Sequence, residues 1–181
     1  MVLICYGTEC DAKTAWIPYI KKELEKRNIE CVIPRLPTPT NQDYKTWSKI
    51  VDGIMIEDKD IVVGWSTGGV FSLRYLYERN IKVKKLILIS SFNNYIGSVP
   101  YVDNINKDFF MKDEAIAKDI AEQIICIKSD NDPFITQKAL NDFAKNLKAK
   151  VINIKNGGHF NKTAGFEQFP QLLNEILKGQ E

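Results

Sequence analysis

Histidine is almost missing from this sequence: of its 181 residues, only His159 carries an imidazole. Multi-histidine zinc sites are thereby excluded, and any chemistry that needs an imidazole base has one place to find it. Cysteine is sparse as well. Cys5, Cys10, Cys31 and Cys126 lie far apart, and no C-x-x-C pair or metal-ligand spacing joins them. Neither sign of charge predominates, with 25 Lys and Arg against 23 Asp and Glu. That balance argues against a polybasic surface for nucleic acid or membrane, and the densest basic run, 82–85, simply leads into an apolar strand. No apolar run approaches the roughly 20 residues of a membrane span. The apolar start, Val2 to Tyr6, is too short for a signal-peptide core and has no basic flank. Walker A and G-x-G-x-x-G motifs are absent. These gaps lead us to expect a chain without metal or cofactor, without nucleic-acid or membrane partners, working in the reducing cytoplasm with most of its cysteines buried as small hydrophobes.

Present in their place is a regular alternation of short apolar runs and amphipathic segments. Val2 to Tyr6 reads as a buried strand stopped by Gly7, and Ile17, Ile20 and Leu24 then mark one helix face. A second strand is expected over 30–33, and a Pro-containing loop over 35–41. A helix over 44–57 follows, with Trp47, Ile50, Val51 and Ile54 on one side, then a strand over 61–64 and a helix buried through Val70, Leu73 and Tyr77. Further strands are expected over 83–90, 124–128 and 151–154. Helices are expected over 113–123 and 136–147 and after Phe169, and 91–108 reads as irregular. Strands apolar on both faces that alternate with helices imply a parallel sheet covered on both sides. The expected fold is therefore a three-layer α/β arrangement of the α/β-hydrolase type, with about six parallel strands in one domain, 1–181, and no separate cap domain.

The stretch Ile61-Val62-Val63-Gly64-Trp65-Ser66-Thr67-Gly68 carries the chemistry. A β-branched run enters G-x-S-x-G and a helical pattern leaves it, which is the sequence form of a nucleophile elbow. The motif alone arises by chance in roughly one chain in twenty of this length, so its setting carries the weight. The glycines allow strand and helix backbones to cross where a Cβ would clash. The turn presents Ser66 and places the Thr67 amide at a helix N-terminus, facing a developing oxyanion.

A serine nucleophile needs a base, and the base needs an orienting acid. In this fold the chain order is serine, acid, histidine. His159 follows the sixth expected strand, which is where the base belongs. The loop after the fifth strand holds Asp130 and Asp132; we favour Asp132 because Pro133 restricts its backbone and so aims its carboxylate. The second oxyanion donor is expected from the loop after the first strand, as the amide of Thr8 or, failing that, of Glu9. A Ser-x-x-Lys acylase is excluded, since Gly69 stands where the lysine is required. Cys10 has no second histidine to activate it and reads as a loop residue.

Gly64-Trp65-Ser66-Thr67-Gly68, Ser129-Asp130-Asn131-Asp132-Pro133-Phe134 and Gly158-His159-Phe160-Asn161 together resemble the small serine hydrolases related to retinoblastoma-binding protein nine. The resemblance spans nearly the whole chain. It implies hydrolysis of small esters or peptide-like compounds, with Ser66 as nucleophile, Asp132 as acid and His159 as base. Two features depart from the family: Trp65 stands where a histidine is frequent, and the glycine-rich loop after the first strand is reduced to Gly7-Thr8-Glu9. The Leu-x-Cys-x-Glu motif tied to retinoblastoma-protein binding is absent, so no such partner is carried over. Trp65, Phe134 and Phe160, each within two residues of a member of the candidate triad, are expected to line the substrate pocket. The aromatics of 91–123 (Phe92, Tyr95, Tyr101, Phe109, Phe110) either cover that pocket as a partial lid or pack the connection onto the sheet. Two other readings stand beside the hydrolase: a catalytically silent binding module on the same fold, and an acyltransferase using the same triad.

Overall fold

The structure, a computed structural model, describes residues 1–96 and 100–179. Gly97, part of the stretch read as irregular, lies outside them. Six strands form one parallel sheet: β1 (Val2–Cys5), β2 (Cys31–Val32), β3 (Ile61–Trp65), β4 (Val83–Ile89), β5 (Ala121–Ser129) and β6 (Lys150–Ile154). Their order across the sheet is β2-β1-β3-β4-β5-β6. The direction of travel reverses between β1 and β3, so the carboxyl ends of these two strands flank the switch point at which open α/β sheets bind ligands.

Right-handed crossovers assign the helices to faces. The connection through α1 (Ile17–Glu25) runs one way along the sheet. Those through α2 (Tyr44–Val51), α3 (Thr67–Glu78) and α5 (Gln137–Asn146) run the other way and cover the opposite face. Aromatic packing agrees. On one face Trp16, just before α1, meets Trp65 at 5.6 Å and, at 6.0 Å, Phe169, which opens α6 (Pro170–Leu177). On the other, Phe71 of α3 meets Trp47 of α2 at 5.3 Å. β1 and β3 are buried throughout, whereas the edge strand β6 is largely open to solvent. No helix among the described residues is long and apolar enough to cross a membrane.

Several local expectations differ from the structure. α2 stops at Val51 and not near 57, with Asp52 as its C-cap and Gly53 in the turn beyond. Tyr77 is exposed although Val70 and Leu73 of the same helix are buried. The helix expected over 113–123 is a single 3₁₀ turn, Glu114–Ala117, and β5 starts at Ala121. Ile116, needed for that helix's apolar face, is half exposed. With so little to bury, 121–123 join the ladder to β4 instead (Val83 opposite Ala121, Lys85 opposite Gln123). Conversely, the stretch read as irregular contains α4 (Pro100–Asn106) and a 3₁₀ turn, Lys107–Phe109. The buried residues of α4 are Asp103 and Asn106, so it has no apolar stripe to betray it.

Candidate active site

Ser66 stands between β3 and α3 with φ 55° and ψ −124°. This is sparsely populated backbone for a residue with a side chain, and strain of this kind is held in place by its surroundings. Ser66 N–H donates to the Ile89 carbonyl at 2.8 Å, and the Ser66 carbonyl accepts from Gly69 N–H at 2.9 Å. The flanking glycines are required by close approach. A Cβ on Gly64 would lie 2.4 Å from Gly69 Cα, and one on Gly68 would lie 2.2 Å from the Cys5 carbonyl oxygen. The elbow can therefore be this sharp only because β3, α3 and the end of β1 touch backbone to backbone.

His159 and Asp132 meet on the far side of the same cavity. His159 Nδ1 lies 2.9 Å from Asp132 Oδ2, and the Asp132 side chain is fully buried. The other carboxylate oxygen, Oδ1, accepts from the Phe134 amide at 3.0 Å and the Ile135 amide at 3.1 Å. Two backbone bonds thus aim this acid, a more direct anchor than the restriction that Pro133 imposes. Burial pushes the Asp132 carboxyl up, but the His159 ring, the Phe134 amide and the adjacent Ser90 hydroxyl outweigh it and hold the group below the usual carboxylate range. The Ser90 hydroxyl itself is buried without a formed hydrogen bond among the described residues. Asp130 has a different job: its Oδ1 accepts from the Asn156 amide at 2.7 Å. Asn131 Oδ1 accepts from the Gly158 amide at 2.8 Å. Residues 130, 131 and 132 thus each grip the histidine loop in turn.

The loop after β1 closes the third side. A Cβ on Gly7 would sit 2.8 Å from Ser66 Cβ, so this loop lies directly against the serine. Glu9 N–H donates to Thr38 Oγ1 at 2.7 Å, which commits that amide elsewhere. The amides of Thr8 and Thr67 have no protein acceptor among the described residues. Their side-chain hydroxyls are 3.1 Å apart, and both reach Asn106 Oδ1, Thr67 at 2.8 Å and Thr8 at 3.2 Å. Gln42 Nε2 joins them, donating to Thr8 Oγ1 at 2.8 Å and Asn106 Oδ1 at 2.7 Å. Asn106 Nδ2 is buried without an acceptor among the described residues, a cost of about 1–3 kcal/mol. Nothing in the sequence singles out Gln42 or Asn106. One lies just after the Pro-containing loop and the other in an Asn-rich stretch, and their common target appears only once the chain is folded.

The cavity measures about 200 Å³. Ser66, His159, Thr8 and Asn106 line its polar side, and Phe92, Ile96, Val102, Phe134 and Ile135 its apolar side. Of the three residues expected to line the pocket, only Phe134 does so, its ring edge-on to His159 with centroids 5.1 Å apart. Trp65 is buried, and its Nε1 donates to the His159 carbonyl at 3.0 Å. Phe160 is fully buried and stacks on Phe169 at 5.2 Å. Both aromatics support the histidine loop from within the core and do not form the pocket wall. In the connection between β4 and β5, Phe92 and Tyr101 line the cavity, whereas Phe109 is core. A larger depression of about 660 Å³ beside α5, lined by Lys107, Lys138 and Glu114 among others, contains none of the candidate groups.

This parallel sheet, with an elbow serine at its centre and an acid and a histidine at successive strand ends, defines an α/β-hydrolase. A model of the serine hydrolase family matches residues 2–178, and the chain belongs to that family. It is 26% identical over 170 residues to the serine hydrolase RBBP9 of Rattus norvegicus, covering 92% of this chain and 88% of the relative. It is 22% identical over 180 residues to the putative hydrolase YdeN of Bacillus subtilis, covering 97% and 93%. The crystal structure of the B. subtilis ydeN gene product superposes with a TM-score of 0.88 at 21% identity, over 97% of this chain and 95% of that one. Est1E from Butyrivibrio proteoclasticus with bound ferulic acid shares the fold at a TM-score of 0.70 and 16% identity, over 98% and 89%.

Proposed function

We propose that this hydrolase cleaves small carboxylic esters or peptide-like acyl compounds through an acyl-enzyme on Ser66. The supporting observation is the meeting, in one small cavity, of Ser66, the Asp132-backed His159 and Thr8, with the Thr67 amide next to the serine in the chain. His159 accepts the Ser66 proton on Nε2 while Nδ1–H donates to Asp132, so the carboxylate fixes the tautomer and stabilises the imidazolium that forms. Ser66 Oγ bonds to the substrate carbonyl carbon, and the oxyanion is held by the Thr8 and Thr67 amides. His159 then returns the proton to the leaving group. Water, deprotonated by the same imidazole, releases the acid and regenerates Ser66.

The apolar side of the cavity selects the acyl group. At about 200 Å³ it is somewhat roomier than the engineered apolar cavity of about 150 Å³ that holds benzene. A short aliphatic or benzoyl-sized group fits, and a long acyl chain does not. The expected outcome with p-nitrophenyl esters is a rate maximum at roughly four to six acyl carbons, the size that such a volume admits, falling steeply for long chains. A fluorophosphonate probe is expected to label wild type at Ser66 and to leave Ser66→Ala unlabelled. Folded wild type that neither reacts with the probe nor turns over any ester would overturn the reading.

A further inference from the structure

The hydrogen bonds around Asn106 run in one direction only. Glu9 N–H donates to Thr38 Oγ1, and Thr38 Oγ1 donates to Gln42 Oε1. With Gln42 Oε1 on Thr38 Oγ1, Gln42 Nε2 faces Thr8 Oγ1 and Asn106 Oδ1. Thr8 Oγ1, having accepted from Gln42, has its own hydrogen for Thr67 Oγ1 or Asn106 Oδ1, and Thr67 Oγ1 donates to Asn106 Oδ1. Every donor that reaches Asn106 ends on the same oxygen. Turning the carboxamide over would set Nδ2 against the Gln42 Nε2–H donor. Meanwhile its own Nδ2 goes without an acceptor among the described residues. A buried polar atom left without a partner calls for an explanation, and a role in the adjoining site is one.

The two hydroxyls that Asn106 Oδ1 receives belong to Thr8 and Thr67, whose backbone amides face the developing oxyanion in the mechanism above. These residues come from separate elements, Thr8 from the loop after β1 and Thr67 from the first turn of α3. We propose that Asn106, delivered by α4 from the β4–β5 connection, is a positioning residue: by tying the Thr8 and Thr67 side chains to one oxygen it sets the spacing of the two oxyanion amides. The proposal rests on the reading of Ser66 as nucleophile. It also gives the β4–β5 connection a role besides lining the acyl pocket, because a displaced α4 would carry the tie away with it.

Such a tie acts when charge develops and adds little to ground-state binding. Asn106→Leu is therefore expected to lower kcat by about 10- to 100-fold, less than the roughly 100- to 1000-fold that deletion of a whole oxyanion donor costs. KM should stay within about threefold, and affinity for a boronic acid that mimics the tetrahedral adduct should fall with kcat/KM. Because burial of Leu among hydroxyls can cost folding, Thr67→Val gives the parallel test: it keeps shape and backbone amide but loses the hydroxyl. It should reproduce the kcat loss, Thr67→Ser should recover most of it, and the Asn106→Leu, Thr67→Val double variant should lose less than the product of the single losses. An active wild type whose kcat is unmoved by both substitutions, or a loss that appears in KM alone, overturns this proposal and leaves the Ser66 reading intact. A wild type inert to esters and to fluorophosphonate removes the Ser66 reading itself.

Discussion

The two aspartates of the loop after β5 carry the same functional group two residues apart and are set to different tasks by their partners. Asp132 is buried against His159, with its second oxygen pinned by two loop amides, while Asp130 spends its carboxylate on the Asn156 amide. Removing the charge from each separates the tasks. Asp132→Asn keeps the shape but favours the wrong imidazole tautomer, and kcat is expected to fall by about 10⁴-fold. Asp130→Asn keeps an acceptor for Asn156 and should leave kcat within about tenfold of wild type, the loss of a modest loop tie. A steady-state comparison on one short-chain ester checks both, and equal losses would refute the assignment of the acid to Asp132. In sequence only Pro133 favours Asp132 over Asp130; the burial and the partners that separate them belong to the folded chain.

Helix α6 shows how a distant element secures its end. The last carbonyls of any helix lack intrahelical partners. Here Lys85 of β4, buried and with its ammonium held below the usual lysine range by burial, donates to the Glu175 carbonyl at 2.5 Å and the Lys178 carbonyl at 2.9 Å. A cation at a helix C-terminus also suits the helix dipole. Lys85→Met keeps the apolar stem but leaves those carbonyls unpaired. A loss of about 1–3 kcal/mol is expected, read as a lower midpoint in urea with an unchanged slope; an unchanged midpoint would show that water caps the helix equally well. In the sequence, Lys85 belongs to a basic run that simply leads into an apolar strand. Its neighbour Lys84 instead reaches the Gly179 carbonyl, so this run meets the end of α6 directly.

At the level of the molecule, the succession of strands and helices along the chain was readable because periodicity, β-branched runs and glycine punctuation all point the same way for β1, β3 and β4. So were Ser66, Asp132 and His159 as candidates, since each falls at a strand's carboxyl end. Unreadable were the features in which tertiary contacts override local pattern. These include the capture of 121–123 by the β4 ladder, α4 with its polar buried residues, and the inward turn of Trp65 and Phe160. The whole fold also bears on acid stability. Below the ordinary carboxylate pKa of about 3.9, the unfolded chain takes up at Asp132 a proton that the folded chain resists, so stability falls as the pH falls. The unfolding free energy of wild type is expected to drop more steeply than that of Asp132→Asn between about pH 5 and the folded pKa. Parallel curves, measured by urea titration at each pH, would show that the carboxylate contributes nothing to folding.

The three grips of 130, 131 and 132 on 156, 158 and 159 continue, past the strand ends, the pairing that joins Ser129 of β5 to Ile154 of β6. The candidate acid and base are therefore parts of one block, while the serine belongs to another built from β3 and α3. The Trp65 indole, donating from β3 to the His159 carbonyl, is a bolt across the joint between them. In the proposed mechanism the proton's path crosses that joint, so its length would be set by how two halves of the sheet seat against each other and not by the freedom of any one side chain.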